Sequence, residues 1–285
     1  MIKVSIVIVT FNSSKFIQPC LDSIFNQEYR DFEVVLIDNG SRDDTVSLVK
    51  ADYPQVKLIE NNENLGSCRA RNQGIKASQR KWILTLDCDV VLEKNFLNVI
   101  IKTLEKSEKS IGMVQPKVLK EDKKTIYSCG IFLSKLLRRF YDIGNGEIDR
   151  GQFSAGKQVF GACSAAALYS RHMLEAIEEE TGYFDERFFF LVEDVDLSWR
   201  AQKSGYKALY VPEATCFHSG NSSNASFKLR QYLCFRNRFY SIMKNEGFMN
   251  LPKSFLSLFI YDLPRFTYLL FANPYVLRGC KSKVV

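Results

Sequence analysis

A short apolar run that ends in two acids constrains this chain more than any other stretch. Residues 81–93 read KWILTLDCDVVLE. Trp82, Ile83, Leu84 and Leu86 fit a strand buried on both faces. The run stops on Asp87 and Asp89, one residue apart. An ionised carboxylate is costly to bury unless a cation or several donors neutralise it. A divalent ion carrying a diphosphate meets that requirement. The plain alternative is a solvated strand end before a helix cap at Glu93, Lys94 and Asn95, and the acid pair alone does not separate the two.

Upstream, strands alternate with helices. Residues 3–9 (KVSIVIV) are apolar and β-branched, a buried strand that ends at Thr10, Phe11 and Asn12. Ser13 or Ser14 can cap a helix whose apolar residues Phe16, Ile17, Leu21, Ile24 and Phe25 recur at helical spacing. Residues 32–37 give a second strand ending in Asp38-Asn39-Gly40-Ser41, and 56–59 a third, followed by a polar turn at 61–66 and a helix at 67–77. This alternation predicts an α/β fold with a mostly parallel central sheet. Ligands bind such sheets outside the carboxyl ends of the strands, where Thr10, Asp38, Asn64 and Asp87 fall. The turn after the first strand, TFNSSKF, has neither G-x-G-x-x-G nor a P-loop lysine, which argues against a nicotinamide cofactor or a nucleotide triphosphatase.

The second half is expected to hold a helix at 96–104 and strands at 112–119 and 125–133. Residues 136–154 read as a mobile surface loop, and the apolar segment 158–170 contains Gly161, where backbone can approach a ligand. An aromatic run at 188–191 leads into Glu193, Asp194 and Asp196. A helix carrying Leu197, Trp199 and Ala201 follows, then a strand at 207–211 ending at Pro212.

Two histidines, His172 and His218, rule out His-rich metal sites. Eight scattered cysteines without a C-x-x-C pair read as buried thiols in a reducing compartment. No basic leader with a cleavage site precedes residue 2, and no uncharged apolar stretch of about 18 residues is evident, so neither a signal peptide nor a clear membrane span is expected. From Ala225 onward there are ten basic and two acidic residues, enough to account for the whole net charge of +7. Such a cationic, aromatic-rich tail fits an anionic surface.

Taken together, the opening strand into Thr10-Phe11-Asn12, DNGSRDDT at 38–45, NLGSCRARNQG at 64–74, the D-x-D at 87–89, EDVDLSWRAQKSG at 193–205 and the HSG at His218 resemble family 2 of the inverting nucleotide-sugar glycosyltransferases. The resemblance covers residues 2–220, and YLCFRNR at 232–238 is similar to the tail of the rhamnosyltransferase-like branch. It implies a GT-A (Rossmann-like) fold with a C-terminal helical tail. The expected catalytic domain is 1–224, with a nucleotide-binding half (1–92) and an acceptor-binding half (93–224), and 225–285 is a basic helical extension.

The resemblance also implies roles. Asp89, Asp87 and His218 would hold Mn²⁺ or Mg²⁺. Asp38 and Asn39 would read the base, beside Thr10, Phe11, Asn12 and Ser41. Asn64, Gly66, Arg69, Asp87 and Cys88 would line the nucleotide-sugar site, with Arg69 facing the diphosphate. Asp194 would be the base that deprotonates the acceptor hydroxyl. Gly161, Ala162, Glu193 and Trp199 would form the acceptor-side wall. Turn, cap and solvated-helix chemistry remain alternative accounts of the same Asp, Asn, Thr and Arg residues. The Q-x-x-R-W signature of processive synthases is absent, which favours single addition.

The expected partners are a nucleoside-diphosphate sugar and a lipid-linked or glycan acceptor, with no nucleic acid. The second apolar stretch of the tail, 255–271, is read as broken by Pro264. It would either lie in the membrane interface, the chain then sitting on the cytoplasmic face, or pack on the catalytic domain or a sister subunit in a homodimer. The competing functions are a sugar-phosphate nucleotidyltransferase, which needs a Gly-rich basic first turn, and a catalytically degenerate membrane-bound partner.

Overall fold

The computed structural model describes residues 2–134, 136–220, 222, 225–247 and 255–273. In the first third, β1 (Val4–Thr10), β2 (Phe32–Asp38), β3 (Lys57–Glu60) and β4 (Trp82–Asp87) lie in the order β4-β1-β2-β3, every pair parallel. The crossovers are α1 (Ser14–Phe25), α2 (Thr45–Asp52) and α3 (Ser67–Ala77). Thr10 stands opposite Asp38, and Val9 opposite Asp87, so three strand ends meet at one edge. Alternate residues of β1 serve opposite faces. Ile6 and Ile8 pack with Ile17, Leu21 and Phe96, whereas Val7 packs with Cys68, Ile75 and Met113.

The remaining elements extend the sheet. They are β5 (Val90–Leu92), α4 (Phe96–Leu104), β6 (Ile111–Lys120), β7 (Ile126–Ser128), β8 (Ile131–Leu133), β9 (Phe140–Asp142), β10 (Lys157–Val159), β11 (Ala166–Ser170), α5 (Arg171–Ala176), α6 (Glu193–Lys203), β12 (Lys207–His218) and α7 (Phe227–Glu246). β11 inserts antiparallel between β4 and β6, β12 runs parallel to β6, and β8 and β9 form a separate hairpin.

Several sequence expectations change here. The single strand expected at 125–133 is two, split at Gly130, whose φ of +109° turns the chain out of the sheet. Residues 136–154 are not a loose surface loop. β9 lies within them, Lys117 Nζ reaches Asp149 at 2.9 Å, and Ile126 N–H donates to the Glu147 carbonyl. The strand at 207–211 does not stop at Pro212. It continues to His218 through a register shift between Val211 and Thr215, which accommodates a residue without an N–H.

Residues 255–272 form one continuous 18-residue helix, α8 (Phe255–Ala272). Pro264 does not break it, because the turn ahead widens and Leu263 N–H bonds to the Leu258 carbonyl. By length and composition α8 could cross a membrane, although it carries Asp262 and Arg265. It is tied instead to α7: Arg238 Nε meets Asp262 Oδ1 at 2.7 Å, and the rings of Phe235 and Phe266 stack at 5.8 Å. Lys253, Arg278, Lys281 and Lys283, and the tail cysteine Cys280, lie outside the described residues. The seven described cysteines are free, and all but Cys234 are buried.

Candidate active site

One large cavity, about 1340 Å³, opens along the carboxyl edge of the parallel strands. Its first wall is the edge formed by β1, β2 and the turn after β3. Asp38 is buried, and its Oδ2 accepts from the N–H groups of Gly40 (3.2 Å) and Ser41 (2.9 Å). Its Oδ1 and Thr10 Oγ1 are buried with no hydrogen-bond partner among the described residues. Such orphaned acceptors await a ligand donor. Asn39 donates to Asn64 Oδ1 at 2.9 Å and accepts from Leu65 N–H at 3.1 Å, which ties the two turns together. Phe11, Asn12, Asn39, Asn64, Gly66 and Cys88 all line the cavity. Ser41 acts behind them, its hydroxyl accepting from Asn12 N–H at 2.8 Å.

Asp87 and His218 line the cavity, Asp89 is buried beside them, and the three each present one ligand atom within 4.8 Å of the others. β4 ends on Asp87, the turn into β5 holds Asp89, and the final residue of β12 delivers the imidazole. His218 Nε2 stands 3.1 Å from Asp89 Oδ1 and 3.9 Å from Asp87 Oδ2. Burial alone would raise the Asp89 pKa, but the hydrogen bond and charge of His218 outweigh it and hold the carboxyl below its usual range. Burial opposes the charge on His218 likewise, and Asp89 reverses that, raising the imidazole. Two carboxylate oxygens and one imidazole nitrogen are a donor set suited to Mn²⁺ or Mg²⁺, and in Asp89 and His218 two of the three residues are already excluded from solvent. The residues therefore fit a divalent ion.

The far wall carries Glu193 and Asp194 at the start of α6. The two neighbours differ in partner. Glu193 Oε1 meets Arg71 Nη1 at 2.5 Å, and Arg71 Nη2 meets Asp87 Oδ1 at 2.8 Å. Among the described residues Asp194 receives backbone donors alone, Ser164 N–H at 3.2 Å and Val195 N–H at 2.9 Å. Its carboxyl is pushed well above the carboxylate range, first by burial, then by the negative charges of Glu193 and Asp142.

The approach to this wall is strained. Phe189, Leu191 and Val192 have φ of 67°, 69° and 73°, which is rare for aromatic and β-branched residues. Phe189 (ψ −64°) centres a γ-turn closed by Phe190 N–H donating to the Phe188 carbonyl at 2.9 Å. Gly66 accommodates that turn, since a Cβ there would lie 2.7 Å from the Phe189 carbonyl oxygen.

Four residues expected at the site lie elsewhere. Arg69 is half exposed, stands 3.8 Å from Glu186 and is not among the residues that line the cavity. The cation between the acids is Arg71. Cys68, Arg71 and Ile75 share the buried face of α3 at helical spacing, a signal readable in the sequence. Gly161 serves packing, because a Cβ there would sit 2.1 Å from Ser198 Oγ on α6. Ala162 is fully buried behind the wall, and Trp199 packs edge-on against Phe160 at 6.2 Å.

Residues absent from the sequence reading complete the cavity. They include Tyr127, whose ring meets His218 edge-on at 4.3 Å, Phe140, Tyr141 and Asp142 of β9, and Leu229 and Arg230 of α7. Burial raises the Asp142 carboxyl, and its Oδ1 has no hydrogen-bond partner among the described residues. A three-residue strand is too short to show alternation, so β9 left no pattern to find.

Solved structures with this architecture place the chain in the GT-A class. S. aureus TarS matches 94% of this chain and 45% of its own with a TM-score of 0.63 and 17% identity. The mannosyltransferase PcManGT from Pyrobaculum calidifontis, solved with GDP-Man and Mn²⁺, matches 97% of this chain and 72% of its own with a TM-score of 0.60 and 18% identity. Residues 5–178 match the glycosyl transferase family 2 profile, and the chain belongs to that family. Among curated relatives, the poly-beta-1,6-N-acetyl-D-glucosamine synthases of Staphylococcus epidermidis and Staphylococcus aureus are each 26% identical over 217 and 222 residues. These matches take in 75% of this chain and 49% of theirs, so the chain spans about half the length of the curated relatives it matches.

Proposed function

We propose that this chain is a metal-dependent, inverting glycosyltransferase that moves one sugar from a nucleoside-diphosphate sugar to a hydroxyl of a lipid-linked or cell-surface glycan. One observation carries the reading. A single cavity is lined by Asp87 and His218, which form a cluster with the buried Asp89, and by Asp194, a carboxylate with no ion pair among the described residues.

In this reading Asp38, Asn39 and Thr10 take the nucleoside, and Asp87, Asp89 and His218 hold the ion. A bound Mn²⁺ or Mg²⁺ would supply Lewis-acid stabilisation of the charge that grows on the leaving diphosphate. Asp194 accepts the proton of the acceptor hydroxyl. That oxygen bonds to the anomeric carbon as the bond from this carbon to the diphosphate oxygen breaks on the opposite face, which inverts the centre. Arg71 pairs with Glu193, which leaves Asp194 as the acid of the two to take the proton. Asp142, Tyr127 and Tyr141 would face the acceptor, since aromatic faces beside a buried carboxyl suit a sugar ring and its hydroxyls.

The likeness at 232–238 to the rhamnosyltransferase-like branch favours a hexosyl or deoxyhexosyl donor. Residues 1–224 would form the catalytic domain in two halves, with α7 closing it. α8 would rest the chain on the inner face of the cytoplasmic membrane. Its exposed side chains include Phe255 (62%), Ile260 (61%) and Phe271 (89%), and its ion pair to α7 favours lying along the interface over crossing it. Incubation with UDP-, dTDP- and GDP-sugars plus Mn²⁺ tests the reading through release of the nucleoside diphosphate. Release from one base class, stopped by chelator, supports it. Release from none by the folded protein favours a catalytically degenerate partner.

A further inference from the structure

The segment that presents Asp194 cannot hold its shape alone. Between Phe188 and Val192 it makes a γ-turn and two further left-handed residues, none of them glycine. Its carbonyls point away from any regular ladder and need donors. Two elements supply them. From α3, Cys68 N–H (3.2 Å) and Ser67 Oγ–H (3.3 Å) donate to the Phe189 carbonyl. From α7, the fully buried Asn237 amide donates to the carbonyls of Phe188 (3.1 Å), Phe190 (3.0 Å) and Leu191 (2.7 Å). Arg236 Nε donates to Asn237 Oδ1 at 2.9 Å, and Arg236 Nη2 to the Phe188 carbonyl at 3.0 Å, which fixes the orientation of the amide.

We propose that Asn237 is a positioning residue for Asp194: its side-chain amide holds the strained 188–192 segment so that α6 begins with Asp194 facing the cavity. The proposal rests on the reading of Asp194 as base, and it assigns to α7 a role beyond covering the site. No other side chain among the described residues bonds three carbonyls of this segment. A leucine or alanine in place of Asn237 would leave those carbonyls buried without donors. The left-handed residues would then relax, and the first turn of α6 would move with them.

The test is amide hydrogen exchange on the full chain, wild type against Asn237→Ala. Exchange at residues 186–195 is expected to quicken about 10-fold or more while β1 and β4 stay protected, because only a local opening is released. Binding of UDP or GDP with Mn²⁺ should persist in the variant, and turnover of the matching nucleotide sugar should fall about 10-fold or more, the scale of a misplaced base. Unchanged exchange at 186–195 overturns the proposal. So does a uniform rise across the sheet, which would make Asn237 a general stability residue. If Asn237→Ala does not fold, Arg236→Ala removes the neighbouring donor at a half-exposed position, and the same local quickening, smaller in size, is required. Local quickening in a chain whose wild type binds no diphosphate and turns over no nucleotide sugar would keep the clamp and reject the transferase reading.

Discussion

Glu193 and Asp194 are adjacent acids with opposite fates. Arg71 neutralises the first and leaves the second in a cavity wall with backbone donors only. Substituting Asp194→Asn keeps the shape and removes the base proposed above. Turnover is expected to fall roughly 10²–10⁴-fold, with nucleoside diphosphate binding preserved, as steady-state rates and calorimetry would show. Near-normal turnover would reject the assignment.

The raised Asp194 pKa gives two pH predictions. Only the ionised form is a base, so the acid limb of kcat/KM should lie well above the ordinary carboxylate range and vanish in Asp194→Asn. A group whose pKa is higher folded than unfolded stabilises the fold below its unfolded value and loses that contribution as pH rises through its folded value. Asp194→Asn should therefore raise Tm in mildly alkaline buffer and leave it unchanged near pH 4. Equal Tm differences at both would contradict the shift. Arg71 is buried between Glu193, also buried, and the partly exposed Asp87, and Arg71→Ala would leave Glu193 buried without its cation. Denaturant titration should report a loss of about 3–5 kcal/mol. A loss below about 1 kcal/mol, the range of surface pairs, would place the triad in solvent.

At the scale of elements, the parallel half was legible because each strand there is a continuous apolar run between polar turns, and the topology carries Asp38 and Asp87 to one edge. The Asp87–Asp89–His218 cluster was legible in part for the same reason, since β4 ends on Asp87 and the next turn carries Asp89. The Asp142 wall was not, because β8 and β9 are three residues each and carry no period. Arg71 was missed in favour of Arg69 although its place on the apolar face of α3 was readable. The clamp from Asn237 was beyond reach, because nothing local links an α7 amide to carbonyls 46–49 residues earlier. α8 was misread because Pro264 breaks an α-helix only if its turn must donate an N–H, and the widened turn removes that need. Leu256, Phe259, Ile260 and Phe271 remain uncovered on this helix. Flotation with anionic vesicles should carry the full chain upward. Ile260→Glu with Phe259→Glu should leave it at the bottom, and equal flotation of both would remove α8 from the membrane account.

At the scale of the molecule, the cavity sets Glu63, Asp87, Asp142, Glu193 and Asp194 against Arg42, Arg71 and Arg230, and Arg71 is already paired with Asp87 and Glu193, so in this account a polyanionic donor held beside these acids requires a further cation. The whole account turns on that requirement. The most direct test titrates UDP, dTDP and GDP into the folded protein with Mn²⁺, then with chelator, and repeats the titration with Asp89→Ala. The account predicts that one diphosphate binds, that chelator abolishes the binding, and that Asp89→Ala abolishes it with Mn²⁺ present. Binding that survives both chelator and Asp89→Ala would contradict the Asp87–Asp89–His218 site, and no binding of any of the three would contradict the nucleotide-sugar reading itself.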